Sequence, residues 1–436
     1  MAKANRREFL QKVGAISTLA VSSFWINPVE ALMDMEEASD HLFVHIVIEG
    51  GADGMQGLDP IIPPAAGLSN ADFWRGFSDN DLITTPYFLL GPAATPLVPH
   101  AADIAIIRGI NMTSSGNVSH EQCRARICSG MRVDRGVAHS ITAQFAATTL
   151  DKTIRAVVNS PAEFRSRLPV ASTRLSDLIN SNLASSNERL LFSGQNSPLH
   201  SRESYAQSAQ DVVKFQTSLG QIAPDRSMIN DLTATAAALS SGITRCAHLN
   251  FGGDYLGAYP SSLNLDNHSN HEQAHLNNQR SYWQKLADLF KLFKQTPYLD
   301  TEESLFSKTT FFISNEFSKT PGLRGSGKDH NPETNEIILA GRGVKGGSVV
   351  GGSEFIRASE TPNNRSMLVG FPIDKFTEKK LTRVDMRTWQ NPPAGTQLIV
   401  PEHVVLTVAK ILGLPVRNYR WINRPDIQPL MSVIKT

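Results

Sequence analysis

The sequence has few cysteines and almost no net charge, and each shortage excludes a class of protein. Cys123, Cys128 and Cys246 are the three cysteines among 436 residues. A small, odd number does not describe a disulfide framework, although one disulfide involving Cys246 stays open. The formal net charge of +1 gives no basis for binding nucleic acid or an anionic membrane. We therefore expect no nucleic-acid partner.

The body of the chain also lacks a long apolar run. A bilayer is spanned by about 20 consecutive apolar residues, and no stretch of the sequence supplies them. We expect a soluble mature protein with no stable membrane span. The remaining length of roughly 400 residues can hold one large α/β domain or two smaller ones. We predict a single domain over 40–436, with a helical insertion at about 151–245.

The N-terminus has the three parts of an export signal. Residues 5–10 read NRREFL, which places an arginine pair ahead of Phe-Leu. An apolar, uncharged run follows at 13–26, and residues 29–31 offer small side chains for cleavage. The pattern resembles the twin-arginine signal, and an ordinary N-terminal helix is the alternative. We predict a signal peptide over 1–31, a twin-arginine translocase as partner during export, and a periplasmic or secreted location.

Apolar runs alternate with helical patterns along the mature chain. Buried strands are predicted at 41–48, 103–110, 309–314 and 336–340, where continuous apolar residues are typical of a parallel sheet. Helices are predicted at 121–129, 273–295 and 403–412, and the segments 173–187 and 204–241 also look helical. Strands alternating with helices predict an α/β fold whose mainly parallel sheet is covered on both faces.

Two polar segments follow the first two predicted strands, where ligands bind in such folds. Asp53 comes after the first strand, in a glycine-rich turn that lets the backbone approach a ligand. It is a candidate carboxylate ligand or the cap of the next segment. Ser119 stands where a helix begins, with His120 beside it. A serine there either caps the helix or acts as a nucleophile, because free N–H groups favour negative charge.

A third segment concentrates histidine ahead of the long helix. Asp266, His268, His271 and His275 fall within ten residues, and the last two are spaced to share one helix face. Imidazole and carboxylate together suit Zn, Mn or Fe. A polar, solvated loop entering a helix is the alternative.

The fourth segment begins at Glu316, at the tip of a predicted strand. A glycine-rich loop follows, and it could fold over a site and return Asp329 and His330 to it. Lys328 or Arg324 from this loop could hold substrate oxygens, or each could be a solvated loop charge. With the other segments, the inventory of carboxylates, histidines and one hydroxyl matches a two-metal site.

These motifs resemble a bacterial secreted family, domain of unknown function 1501, within the alkaline phosphatase and sulfatase-like superfamily. The resemblance rests on the twin-arginine start, Ser119-His120, Asp266-x-His268 and a Leu-Gly-Leu helix end. It also rests on GGADG, NEFSKTP, GKDHN and GRGVKGG at 50–54, 315–321, 327–331 and 341–347. The superfamily implies a three-layer α/β/α sandwich with two metals at the strand tips.

The resemblance also implies roles for individual residues. Ser119 resembles the nucleophile at a helix N-terminus. Phe317 stands where the superfamily often has a histidine, so one imidazole is missing. The residues that resemble metal ligands are Asp53, Asp266 with His268 or His271, Glu316, Asp329 and His330.

The sequence therefore leads to one main hypothesis and two alternatives. The main hypothesis is an exported hydrolase of phosphate or sulfate esters that uses one or two divalent metals: Zn, Mn, Fe, Mg or Ca. Ser119 would be catalytic, and His120, Lys328 and Arg324 would contact a small-molecule ester. One alternative is a catalytically degraded periplasmic binding or assembly protein of the same fold. In the other, the metal only holds the glycine-rich loop closed.

Overall fold

The computed structural model describes the greater part of the chain after residue 39. The predicted signal peptide over 1–31 lies outside the described residues. The structural statements below concern residues 40–62, 68–113, 119–130, 140–149, 152, 154–159, 172–180, 202–251, 265–266, 268–269, 271–299, 301–361, 364–381, 393–414 and 427–435.

The described residues form eight strands of one central sheet and several short two-residue to four-residue strands outside it. In chain order the strands are β1 Leu42–Ile48, β2 Ile83–Thr84, β3 Leu89–Leu90, β4 Ile104–Arg108, β5 Ala156–Val158, β6 Ser172–Arg174, β7 Cys246–Asn250, β8 Thr309–Asn315, β9 Ser318–Lys319, β10 His330–Asn331, β11 Ile337–Gly341, β12 Ser348–Gly351, β13 Ser353–Ile356, β14 Met367–Gly370, β15 Ile373–Asp374 and β16 Thr396–Gln397.

Helices connect many of these strands. They are α1 His120–Ser129, α2 Ile141–Thr148, α3 Leu175–Ile179, α4 Arg202–Ile222, α5 Asp231–Ser240, α6 Leu276–Gln295, α7 Leu305–Lys308 and α8 Pro401–Ile411. A single π-helical turn, His271–His275, leads directly into α6.

The central sheet has the order β12-β4-β11-β8-β1-β7-β5-β6. Seven of these strands run in one direction, because β1, β5, β6, β7 and β8 pair in parallel and β4 pairs in parallel with β12. Strand β11 runs the other way and is antiparallel to both of its neighbours. The predicted α/β fold with a mainly parallel sheet is confirmed.

Both faces of the sheet are buried under helices, which makes three layers. Alternate residues of β1 enter different cores: Leu42, Val44 and Ile46 pack on one face, and Phe43 and Val47 on the other. Side chains of α5, α6 and α7 fill the first core. Side chains of α1, α2 and α8 fill the second. Burial on both faces explains why these strands read as continuous apolar runs.

The direction of β11 decides what lies at each of its ends. Residues 336–340 were predicted as a buried strand, and the glycine-rich stretch 341–347 follows it. Gly341 pairs with Thr310 at the start of β8, so that stretch lies at the opposite edge of the sheet. The beginning of β11, with Glu336 just before it, faces the edge where the parallel strands end.

The interval 151–245, predicted as a helical insertion, contains helices α3, α4 and α5 where it is described, but it also supplies two strands of the central sheet. It contributes β5 and β6, which pair with each other and, through β5, with β7. Helix α5 from the same interval packs in the first core through Leu232 and Leu239. The short β5 and the polar β6 carry little apolar signal, which is why they escaped the prediction.

Two further expectations concern thiols and membranes. Cys123, Cys128 and Cys246 are all buried thiols, and they form no disulfide with one another in the described part of the chain. Among the described residues, no helix combines the length and apolar character needed to cross a bilayer.

Candidate metal centre

Chain segments that are far apart in sequence meet where the parallel strands end. The N-terminus of α1 brings His120, and the turn before the π-helical segment brings Asp266. Glu316 directly follows β8, and His330 is the first residue of β10 in the β9–β10 hairpin. The side chains converge because parallel strands present their carboxyl ends at one edge of a sheet.

Two glycines allow the loops to approach this closely. Gly50 has a φ of +92°, and a Cβ atom there would lie 2.3 Å from the backbone nitrogen of Asp266. At Gly327 a Cβ atom would lie 1.9 Å from the carbonyl oxygen of His268. Any other residue would force the backbones apart and would move the polar groups that they carry.

The first group of side chains, called the open cluster, consists of His120, Asp266, His268, Asp329 and His330. Asp266 lies at its centre. Its Oδ1 is 2.9 Å from Nε2 of His330 and 3.1 Å from Nε2 of His268. Its Oδ2 is 3.3 Å from Nε2 of His120. These side chains are between 24% and 50% exposed, so the cluster is accessible to solvent.

Within the open cluster, two sets of three residues have the spacing of metal ligands. In each set, one atom per residue lies within 4.8 Å of the others. One set is His120, Asp266 and His330, and the other is His268, Asp329 and His330. Nitrogen and carboxylate oxygen in this proportion are a donor set that Zn, Mn and Fe accept. The residues present therefore fit a divalent transition metal.

Glu316 supports the open cluster from behind. Its Oε2 lies 2.5 Å from Nδ1 of His120 and accepts a 3.1 Å hydrogen bond from the backbone N–H of Gly50. Its Oε1 lies 3.2 Å from Nε of Arg124. Glu316 was predicted as a ligand, but it belongs to neither ligand set. It holds the His120 ring from the far nitrogen, as partners of metal-binding histidines commonly do.

The charges of the open cluster favour an ionised carboxylate beside a protonatable imidazole. The hydrogen bond that Glu316 accepts from His120 raises the pKa of this imidazole above its usual value, although burial opposes the shift. Burial alone would raise the pKa of Asp266. The hydrogen bond with His330 and the positive charges around Asp266 outweigh burial, so the pKa of this carboxyl is lowered. A metal would have to displace the proton from His120, so its binding should weaken in acid.

The second group, called the buried cluster, consists of Asp53, His271, His275, Gln279 and Lys328. Oδ2 of Asp53 lies 2.6 Å from Nζ of Lys328 and 3.1 Å from Nε2 of His271. Gln279 brackets the Asp53 backbone, accepting its N–H at 2.9 Å and donating to its carbonyl at 3.0 Å. None of the five residues is more than 1% exposed.

The hydrogen bonds define the protonation of the two histidines. Because Oε1 of Gln279 is an acceptor, Nε2 of His275 must donate to it across 3.1 Å. Nε2 of His271 donates to Asp53 in the same way. Burial lowers the pKa of both imidazoles, so each is neutral and its Nδ1 carries a lone pair. Their rings stack with centroids 4.0 Å apart.

The buried cluster places three predicted site residues away from the candidate metal. Asp53 and His271 were predicted as ligands, and Lys328 as a substrate contact. Instead, Lys328 neutralises Asp53 inside the protein. Burial opposes ionisation of Asp53, but Lys328 and His271 outweigh it and hold the pKa of the carboxyl well below its usual range. Asp53 thus already has a cation, which leaves little reason to bind a second one.

The remaining predicted residues lie at the rim of the site. Ser119 is exposed and caps α1, where its Oγ accepts the backbone N–H of Gln122 at 3.3 Å. Arg324 is 48% exposed and forms a 2.8 Å ion pair with Asp329. The arginine therefore steadies a residue of the open cluster rather than standing free beside it.

Sequence reasoning missed several functional groups at this edge. Lys319 is buried beside Asp266, and Arg124 reaches Glu316 and Glu49 from α1. Glu336, at the start of β11, is 2% exposed, and burial raises its pKa well above its usual value. Glu336 lies at this edge only because β11 runs antiparallel to its neighbours. The apolar sequence of a strand does not show in which direction the strand runs.

The fold and this edge define a three-layer α/β protein with a candidate metal centre at the ends of its parallel strands. Residues 200–367 match the model of a family described as "Protein of unknown function (DUF1501)". The matched part contains Asp266, Glu316 and His330 but not His120. No curated protein matches the chain significantly.

One solved structure with a similar course is a crystal structure of a "putative sulfatase" from Bacteroides thetaiotaomicron VPI-5482. The two share 9% sequence identity with a TM-score of 0.34, and the likeness covers 86% of this chain and 72% of the other. A likeness at that TM-score carries no argument about activity.

Proposed function

We propose that the protein is a divalent-metal-dependent hydrolase of phosphate or sulfate esters. The observation that carries the proposal is the ligand spacing of His120, Asp266 and His330 in the open cluster. The cluster is accessible, its donors suit a transition metal, and positive side chains lie near it. A metal held there would polarise the ester oxygen and stabilise the charge that develops on the leaving oxygen.

The chain's own residues would hold and orient this centre. Glu316 fixes the His120 ring through Nδ1 and leaves Nε2 turned towards Asp266. Asp329 and His268 extend the donor set on the other side of His330, with Nδ1 of His268 3.8 Å from Oδ1 of Asp329. Such outer partners commonly strengthen metal affinity by orienting the ligand rings.

Ser119 is the candidate nucleophile under this proposal. It precedes His120 directly, so its hydroxyl sits at the same helix N-terminus as one metal ligand. The exposed side chain is accessible to a substrate, and the helix dipole favours an anionic oxygen at this position. Serine attack would require the hydroxyl to leave its capping bond to Gln122.

Export by the twin-arginine route is part of the same proposal. The support is the sequence pattern at residues 5–31, where a paired arginine precedes an apolar run and a small-residue exit. That route carries folded proteins, so a metal could be loaded before export. Cell fractionation of the wild type and an Arg6→Lys/Arg7→Lys variant tests it, and equal amounts outside the cytoplasm would reject it.

The test of the function is elemental analysis of the mature protein, purified without chelator or affinity metal. We expect one or more equivalents of a transition metal in the wild type and a large loss in Asp266→Asn. Glu302→Gln, an exposed carboxylate far along the chain, serves as the control and should keep its metal. Turnover of 4-nitrophenyl phosphate and sulfate should follow metal content. No binding after incubation with Zn²⁺ or Mn²⁺ would reject the proposal.

One observation favours a catalytically degraded binding protein as the second candidate. The ion pair of Lys328 with Asp53 removes a carboxylate that a two-metal site would use. Metal content with no turnover of either ester class would support this alternative, provided that Ser119→Ala leaves the binding of inorganic phosphate unchanged.

A further inference from the structure

Lys319 is a buried cation that makes no hydrogen bond within the described part of the chain. It lies in β9, its side chain is fully buried, and its Nζ has no hydrogen-bond partner among the described residues. Lys328, on the same hairpin, is equally buried but donates to Asp53. An ammonium carries three donors, and leaving a buried charged donor unsatisfied costs more free energy than leaving a neutral one unsatisfied.

The surroundings of Lys319 attract an ammonium without bonding it. Asp266 is the nearest carboxylate, with Oδ1 at 4.0 Å from Nζ, which is beyond hydrogen-bond distance. The Phe317 ring centroid is 5.8 Å away. Burial lowers the pKa of Lys319 to about 8, although Asp266, Asp53 and other carboxylates raise it.

Asp266 is not free to satisfy this lysine. Its oxygens already contact three imidazoles of the open cluster, and a turn towards Nζ would break those contacts. The ammonium therefore faces the candidate metal centre with its donors unused. A ligand that brings its own acceptor oxygens to the open cluster would satisfy it.

We propose that Lys319 binds an oxygen of a tetrahedral oxyanion, phosphate or sulfate, held at the open cluster. The inference rests on the proposed function and names the substrate's anionic group as the part that is recognised. Phosphate and sulfate share this chemistry, since both present several acceptor oxygens to a charge-assisted donor. The role of Lys319 is a contact with the substrate and not a structural ion pair.

Stability separates these two roles. A lysine kept for structure would destabilise the protein when it is truncated. Lys319→Met removes an unsatisfied buried charge and keeps the length of the side chain, so its Tm should equal or exceed that of the wild type. Lys328→Met, which breaks a buried ion pair, should show a clear fall in Tm in the same experiment.

The decisive measurement is isothermal titration of the metal-loaded full protein with inorganic phosphate and, separately, with sulfate. We expect Lys319→Met to weaken binding of the preferred anion about 10- to 100-fold, the value of one hydrogen bond to a charged group. Lys319→Arg keeps the charge and should recover part of the affinity. Lys379→Met, an exposed lysine, is the matched control and should bind like the wild type.

The outcomes separate this inference from the proposed function, because metal content is measured on every sample. Anion binding that Lys319→Met weakens supports the inference, even when no ester is hydrolysed. Wild-type anion affinity in Lys319→Met, or no binding of either anion by metal-loaded wild type, overturns it. If the purified protein binds no metal, the proposed function is rejected. Phosphate binding that still depends on Lys319 would then preserve the anion site alone.

Discussion

The open cluster and the buried cluster contain the same types of side chain in opposite environments. Both combine carboxylate with imidazole, and both lie where the parallel strands end. In the buried cluster, the Lys328 ammonium satisfies Asp53, and solvent reaches neither residue. In the open cluster, Asp266 contacts three imidazoles at an accessible surface, and the Lys319 ammonium lies 4.0 Å from it.

The difference shows that donor type alone does not define a metal site. What matters is whether the chain already supplies the balancing cation. Asp53 has its cation built in, so the fold of the hairpin provides what a metal would provide. Asp266 instead contacts three imidazoles, and Nζ of Lys319 lies 4.0 Å from its Oδ1, beyond hydrogen-bond distance. The open cluster is therefore the better ligand site, although Asp53 comes first in the chain and looks as suitable in sequence.

The largest effect should come from breaking the buried ion pair. Lys328→Met leaves the Asp53 carboxylate buried without its partner, and we expect the free energy of unfolding to fall by about 3–5 kcal/mol. Urea denaturation measures this loss. The double variant Asp53→Asn/Lys328→Met should recover much of it, because neither charge then remains buried.

Metal content of the same variants provides the control for the comparison. We expect the double variant, once folded, to keep the metal of the open cluster. If the double variant folded but lost the metal, Asp53 would be a ligand and the two clusters would have to be treated as one.

A smaller effect should follow from loosening the support of the open cluster. Glu316→Gln weakens the bond to Nδ1 of His120, and we expect metal affinity to fall about 10- to 100-fold. Competition with a chromogenic chelator measures the affinity. Glu336→Gln is the matched control, because burial raises the pKa of that acid and the amide replaces a neutral group. Equal affinities in both variants would contradict the supporting role of Glu316.

Acid should weaken the two clusters differently. Burial holds the pKa of His275 well below 6.5, so protons bind the unfolded chain first, and stability falls as pH drops below 6.5. A buried histidine with a pKa of about 4, such as His248, lowers the free energy of unfolding by about 2 kcal/mol when the pH falls to 5. His120 has a raised pKa, so its contribution is present at low pH and is lost as pH rises through that pKa.

Urea midpoints measured between pH 4 and pH 8 test this difference in sign. His275→Gln should flatten the acid decline, and His120→Asn should steepen it. Parallel profiles for the two variants would show that the clusters do not differ in protonation.

The parts of the fold that could be predicted are those that burial imposes on both faces of a strand. Segments 41–48 and 309–314 read as apolar runs because helices cover them on two sides. Strand β7 was missed because its residues, CAHLN, include a buried histidine and asparagine. The direction of β11 was also beyond prediction, since an apolar run is the same in either direction.

The sequence predicted which residues belong to the candidate site, but it did not predict which of them contact one another. Asp266, His268, Asp329 and His330 were predicted as ligands, and the structure places them together. The predicted role of Asp53 depended on what stands beside it, and the partner, Lys328, lies 275 positions away. Spacing within a segment reveals local helix faces, whereas pairing between distant segments is settled only by the folded backbone.

The open cluster is formed by segments that are far apart in the sequence and are therefore synthesised at different times. His120 and its partner Glu316 are 196 positions apart, and the hairpin carrying His330 comes later still. A nascent or truncated chain could hold its early strands and helices and still possess no such cluster. A metal bound at the open cluster, as proposed, would therefore indicate that the whole chain has folded. Measuring metal content would report complete folding without any knowledge of the substrate.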